Sequence, residues 1–214
     1  MAAALGAILL AGGRATRVDG AAKPLFEVGG RTLLTAAVDA VTDAGARPVV
    51  VAGPVLDPAL DVQWVREEPP FTGPAAAVVA GLDALSDDPE WTLLIACDLP
   101  AVDEAVRTLV RDLPLLPAEA EGVCLGDAAS RPQWLIGAYR TRALRAAASA
   151  LPDRGRDASM RALLDDLAIA VVRAPDDLTR DVDTWQDLEE ARARAARSGP
   201  AARAADTGAE EEST

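Results

Sequence analysis

The chain has 214 residues, half of them hydrophobic and 26% charged, which suits one well-filled core and excludes overall disorder. Its 34 acidic residues outnumber 21 basic ones for a net charge of -13, a field that disfavours nucleic acid and anionic membrane surfaces. With no histidine and only Cys97 and Cys124 as thiols, the composition excludes Ser-His-Asp and Cys-His machinery, a Cys/His zinc site and a disulfide framework.

The first predicted element is a strand over Leu5 to Leu10, a continuous apolar run closed by Gly12-Gly13. The segment before it, MAAALGAILLAGG, has no basic region and enters a patterned motif directly, so it reads as a mature N-terminus. No apolar run reaches membrane-spanning length, and the expected location is the cytoplasm. Leu33, Leu34, Ala37, Val38 and Val41 recur at helical spacing, which predicts a helix from Arg31 to Ala44 closed by Gly45. Strands follow at Pro48 to Ala52 and Asp61 to Val65, then a helix from Pro74 to Leu85 and a strand from Trp91 to Cys97.

Val102 to Leu113 reads as a helix, Gly122 to Leu125 and Gln133 to Ala138 as strands, and Thr141 to Ala150 as a helix. A short helix over Met160 to Leu167, a strand over Ile169 to Arg173 and a last helix over Thr184 to Arg197 complete the pattern. Short aliphatic strands alternating with helices imply a three-layer, Rossmann-like α/β fold, its central sheet mostly parallel with helices on both faces. Right-handed crossovers gather the strand C-termini on one edge, where ligands bind. The expected domain spans 1–197. From 198 to 214 large apolar residues vanish and three glutamates accumulate, which reads as a disordered acidic tail.

Four constellations carry chemistry. In LLAGGRATRVDGAAKPL, Gly12 and Gly13 let backbone N–H groups approach an anion, Arg14 and Arg17 add positive charge, and Lys23 offers an ammonium to phosphates. Neither GxGxxG nor GxxxxGK[ST] is present, which speaks against a dehydrogenase or a P-loop ATPase; the remaining alternative is a glycine turn with solvated arginines. In LLIACDLPAV an aliphatic strand carries Asp98 to its tip, where a carboxylate binds Mg²⁺ beside a triphosphate or simply serves a turn. Asp181 and Asp183 share a face if extended, so they complete a metal site or face water, while Asp183 and Thr184 are candidate caps of the last helix. Gly73-Pro74 leads into a helix whose N-terminus meets a base or phosphate, unless small-residue packing explains it. Together these point to nucleotidyl transfer, chemistry that needs no protein nucleophile when the acceptor brings an ionised phosphate.

In these motifs the sequence resembles the MobA-like nucleotidyltransferases, and most closely the molybdenum cofactor guanylyltransferases. LAGGRATRVDGAAKPL, GPAAAVVAGL, CDLP and DVDTWQDLEEA stand in the family's order across roughly residues 5 to 195. The resemblance implies that Leu10, Ala11, Gly12 and Gly13 contact a guanine nucleotide, that Arg17 and Lys23 serve its phosphates catalytically, and that Glu68, of the Glu67-Glu68 pair, lies near the nucleotide. It implies Mg²⁺ on Asp98 with help from Asp183, and transfer of GMP from GTP to a molybdopterin-type acceptor, with transient contact to cofactor-biosynthesis or recipient proteins. Related folds transfer CMP or act on other small molecules, and a catalytically silent nucleotide-binding protein is a further alternative. Two departures stand out: Val18-Asp19 replaces the family's Met-Gly and puts negative charge into the phosphate loop, and Ala75-Ala76-Ala77 replaces Leu-Ala-Gly.

Overall fold

The structure is a computed structural model that describes residues 3–13, 18 and 20–198. Arg14, Arg17 and Asp19, and the acidic tail from 199 onward, lie outside the described residues.

Strand β1 (Leu5–Leu10) is buried along its whole length and sits at the centre of the sheet. It pairs in parallel with β4 (Val49–Ala52) on one side and β6 (Trp91–Ala96) on the other. Beyond β4 lies β5 (Gln63–Val65), also parallel. Beyond β6 the order continues through β8 (Pro132–Arg140), β7 (Gly122–Gly126) and β9 (Ile169–Arg173). Only β8 runs against the rest of this seven-stranded sheet. The cause is its short link to β7: a few residues can close a hairpin, whereas a parallel return needs a crossover. Reversal brings the start of β8, with Trp134 and Leu135, to the edge where the parallel strands end.

Successive side chains of β1 enter opposite cores, Ala7 and Leu9 one way and Ile8 and Leu10 the other. Helices α1 (Leu33–Asp43) and α3 (Val102–Asp112) cover the first face. In α3 the buried residues Val102, Ala105, Val106 and Leu109 form a single stripe at helical spacing. The opposite face carries α2 (Pro74–Ala84), α4 (Thr141–Ala150) and α5 (Met160–Leu164). Helix α2 lies close to β1 because Gly81 has no side chain; a Cβ there would come 2.6 Å from Ile8 Cγ2. The three-layer, mostly parallel architecture expected from the alternation is therefore the one observed. No helix among the described residues is long and apolar enough to cross a membrane.

Three local features differ from the sequence reading. The segment after Lys23 forms a hairpin of β2 (Glu27–Val28) and β3 (Arg31–Thr32) around Gly29-Gly30, so α1 begins at Leu33 rather than Arg31. Thr32 sets that boundary: its backbone is extended and its Oγ1 accepts the Thr35 amide at 3.1 Å. A single turn, α6 (Asp176–Thr179), follows β9, and α5 stops at Leu164 instead of Leu167. Helix α7 (Trp185–Ser198) closes the described fold. Its Leu188 and Ala191 join Val182 and Leu33 in a small separate core, with Phe26 and Val28 packed against it.

Candidate active site

The C-terminal tips of β1, β4, β5 and β6 open into a cavity of about 450 Å³. Its wall runs from Leu10–Gly13 after β1, through Gly20–Pro24 and the loop after β4 with Pro54 and Leu56, to Arg66 and Phe71 after β5. Cys97 and Asp98 beyond β6, and Asp183 before α7, close the other side. The loop after β1 is held by two bonds that extend the parallel ladder, Ala11 N–H to the Ala52 carbonyl and Cys97 N–H to the Leu10 carbonyl, each at 3.0 Å.

Lys23 opens a short 3-10 turn with Pro24, which keeps its side chain directed into the cavity. Its ammonium pairs with the Asp183 carboxylate and lies 4.0 Å from Asp98 Oδ2. Two aromatic residues stabilise this long-range contact. Phe26, three residues after Lys23, packs at a tilt against Trp185, two residues after Asp183, with ring centroids 5.2 Å apart and the planes inclined by 33°. Backbone geometry does the rest: Val182 N–H donates to the Asp98 carbonyl at 2.9 Å.

The stretch before α7 is fixed by a reciprocal cap. Asp187 accepts from the Thr184 amide at 2.8 Å and the Thr184 hydroxyl at 2.7 Å, and its own amide donates to Thr184 Oγ1 at 3.2 Å. The Thr184 hydroxyl bond leads the contacts that hold the Asp187 carboxyl below the usual range. Thr184 thus caps the helix as the sequence suggested. Asp183 does not; its side chain turns to Lys23, and only its amide reaches Asp187, at 3.2 Å.

The outcome is a cluster in which one carboxylate oxygen from each of Asp98, Asp181 and Asp183 lies within 4.8 Å of the others. Burial pushes the Asp98 carboxyl up to about 6, the charge of Asp181 adds to the rise, and Lys23 opposes it. Burial and then the charge of Asp183 raise Asp181 as well. Three hard oxygen donors whose mutual repulsion one ammonium only partly offsets form a donor set suited to a divalent cation. Cys97, by contrast, is buried and held in its thiol form. Burial pushes its thiol far above the ordinary range, and Cys124 goes up to about 12 for the same reason.

A second cavity of about 310 Å³ adjoins the first and shares Leu10, Gly12, Gly13, Phe71 and Asp98 with it. Gly73 and Pro74 at the N-terminus of α2 line it, together with Glu67 and Leu135. The packing reading of α2 is borne out at Gly81, and the N-terminus of the helix lies at a cavity wall.

Of the site residues expected from sequence, the structure brings Leu10, Ala11, Gly12, Gly13, Lys23, Asp98 and Asp183 around one cavity. Arg17 lies outside the described residues. Glu68 lines neither cavity but a separate groove with Thr72, Asp83 and Arg154; its neighbour Glu67 borders that groove and also the second cavity. Arg66, Phe71, Pro54 and Leu56 were not anticipated. The one signal for Arg66 was its place directly after a strand whose tip had to reach the ligand edge.

A family model described as the MobA-like NTP transferase domain matches residues 7–171. The chain is 36% identical over 108 residues to the molybdenum cofactor guanylyltransferase of Rhodopseudomonas palustris, an alignment covering 44% of this chain and 48% of that protein. It is 33% identical over 145 residues to a Synechococcus elongatus protein named "Probable molybdenum cofactor guanylyltransferase", covering 63% of this chain and 71% of that one. The match to the first of these thus spans about half of that relative's length. Among solved structures, a nucleotidyl transferase from Methanothermobacter thermautotroptrophicus shares the fold with a TM-score of 0.70 at 22% identity, covering 92% of this chain and 99% of that one. The 2-C-methyl-D-erythritol 4-phosphate cytidylyltransferase of Thermus thermophilus does so with a TM-score of 0.59 at 18% identity, covering 92% and 100%.

Proposed function

Because the chain belongs to the MobA-like NTP transferase family, we propose that it transfers GMP from Mg²⁺-bound GTP to the terminal phosphate of a molybdopterin-type acceptor, releasing pyrophosphate. The observation that carries this reading is the meeting of Lys23, Asp98, Asp181 and Asp183 beside the glycine loop. The first cavity takes the nucleotide and the adjoining one takes the acceptor, so that Asp98, which lines both, stands where the two substrates meet.

An acceptor phosphate oxygen attacks the α-phosphorus of GTP in line with the departing pyrophosphate; the new P–O bond forms as the bond between the α-phosphorus and the bridging oxygen breaks. A phosphate monoester is largely dianionic at neutral pH, with a second pKa of about 6, so no protein base is needed. This agrees with a chain that has no histidine and whose cavity thiol stays protonated. Asp98, Asp181 and Asp183 would hold Mg²⁺, which supplies Lewis-acid stabilisation of phosphate charge. The backbone of Gly12 and Gly13 positions the phosphate chain, and the Lys23 ammonium neutralises charge that grows on the leaving group.

The test is pyrophosphate release from GTP, CTP, ATP and UTP with Mg²⁺ and molybdopterin as acceptor. Release from GTP alone is the expected result. Release from CTP would move the chain to the cytidylyltransferases, which the shared fold with the Thermus thermophilus enzyme keeps as the alternative reading. Binding of nucleotide without release would make it a non-catalytic binder.

A further inference from the structure

The first cavity has two cationic side chains among its described lining residues, and they do different things. Lys23 sits beside the carboxylates, at the reacting end of the cavity. Arg66 follows the last residue of β5, while Asp98 follows β6, and the strand order between them is β5, β4, β1, β6. Three strand spacings of about 4.8 Å put these two tips roughly 14 Å apart along the sheet edge. Arg66 therefore enters the cavity at the end away from the carboxylates. The length of a nucleotide laid along the edge, with its reacting phosphate at the carboxylates, brings its base to Arg66.

The surroundings of Arg66 suit a base rather than a phosphate. Pro54 and Leu56 give that part of the wall an apolar surface, and the Arg66 guanidinium sits over the Phe71 ring, 4.9 Å from its centroid. No carboxylate among the described residues lies within ion-pair distance of Arg66, so the guanidinium is not spent on a structural salt bridge. Its backbone is anchored by the preceding residue, whose carbonyl accepts the Gly53 amide at 2.8 Å. Phe71 is held as well: its backbone has φ 65°, a region costly for a bulky residue, and its amide donates to Glu67 Oε1 at 2.8 Å. A planar donor fork held over a ring and facing an apolar-walled cavity matches a base edge that offers two adjacent acceptors.

Resting on the guanylyl reading above, we infer that Arg66 is the residue that selects the base, donating to O6 and N7 of guanine while Phe71 keeps the guanidinium in plane. Adenine presents a donor where guanine has O6, so the same fork that holds guanine rejects adenine. The selection comes from the Hoogsteen edge, and it requires no acidic side chain at the base end of the cavity.

The experiment measures binding of GTP, ATP, 7-deaza-GTP and inorganic triphosphate, each with Mg²⁺, to the full chain and to Arg66→Met by calorimetry. The wild type should prefer GTP to both ATP and 7-deaza-GTP by about tenfold or more, the range of one bidentate arginine contact. Arg66→Met should bring GTP down to the level of 7-deaza-GTP and leave triphosphate unchanged; Arg66 is exposed, so the variant is expected to keep its fold. A GTP preference that survives in Arg66→Met overturns the role of Arg66 while the guanylyl reading stands. An equal loss of triphosphate binding makes Arg66 a phosphate clamp, and an equal loss of GTP and of 7-deaza-GTP, which keeps O6 but lacks N7, removes the N7 contact and with it the bidentate fork. A wild type that binds ATP as well as GTP overturns both readings.

Discussion

The amide of Val182 donates to the carbonyl of Asp98 across 2.9 Å, and this backbone bond ties the acidic stretch before α7 to the tip of β6. It explains why three carboxylates share one small volume although their like charges oppose it. The apposition is fixed by main chain and by the Phe26–Trp185 contact, so side-chain repulsion is tolerated rather than relieved.

Removing one charge from that cluster should separate activity from stability. Asp98→Asn should lose pyrophosphate release by about 10²–10³-fold, the scale of losing one preorganised electrostatic contributor to phosphoryl charge. Its melting temperature should not fall, because the amide keeps the shape and removes repulsion from Asp181 and Asp183. Steady-state pyrophosphate release and a thermal melt check both. A variant with wild-type turnover would take Asp98 out of the site.

The pH dependence of stability follows from the same residue. Asp98 titrates at about 6 in the fold, against about 3.9 in an unfolded chain. Folding therefore favours its protonated form, and this contribution is fully present below about pH 3.9 and lost as pH rises through about 6. The loss is on the order of 3 kcal/mol. Asp127 and Asp187 are held low, Asp127 chiefly by the Arg131 amide, and act in the opposite sense, so the total curve mixes both. The comparison with Asp98→Asn isolates the term: without metal, wild type should be less stable than the variant near pH 8, and the gap should close toward about pH 4.5. Adding Mg²⁺ should reverse the gap near pH 8 and have little effect at the lower pH, where the carboxyl holds its proton.

How much of this could be read from the chain alone depended on what each segment had to say. The bounds of β1, α4 and β9 follow directly from aliphatic runs and helical spacing, because burial dictates those patterns. The hairpin of β2 and β3 did not show, since two residues on each side of Gly29-Gly30 are too few to display an alternation. Asp98 was legible because a lone carboxylate at the tip of an aliphatic strand breaks the pattern. Asp181 and Asp183 were visible only as a pair with two possible uses; the choice between them depends on the Val182 bond, a long-range contact that no local pattern encodes. Arg66 and Phe71 lie in a polar, proline-rich turn after a three-residue strand, where local sequence gives no periodicity to read.

Lys23 offers a test in which two affinities should move in opposite directions. Its ammonium sits between Asp183 and Asp98, in competition with any divalent cation for the same oxygens. Lys23→Met should therefore bind Mg²⁺ more tightly in the absence of nucleotide, while its affinity for inorganic triphosphate and its turnover fall. Stability should drop by about 1–2 kcal/mol, less than for a fully buried pair because the Asp183 side chain is 39% exposed. Calorimetry with metal alone and then with triphosphate reads the two signs separately. A parallel loss of both would show that Lys23 shapes the carboxylate cluster instead of competing for it.

Gly53 links the sheet to the nucleotide loop more tightly than its place after β4 suggests. A Cβ at this position would meet the Ala11 carbonyl carbon at 3.0 Å and the Gly12 nitrogen at 3.2 Å, both main-chain atoms that cannot swing away. Gly53→Ala must therefore push the Ala11–Gly12 peptide by a few tenths of an ångström, and that peptide lines the cavity. We expect a several-fold rise in KM for GTP with a stability loss of about 1–2 kcal/mol. Gly45→Ala supplies the contrast. Gly45 terminates α1 at φ 86°, a Cβ there would meet nothing within 4 Å, and the residue is remote from the cavity wall. That variant should lose about 1 kcal/mol from backbone strain alone and keep its KM. If the two variants raised KM equally, the effect would come from general loosening of the fold; a rise confined to Gly53→Ala assigns it to the displaced peptide.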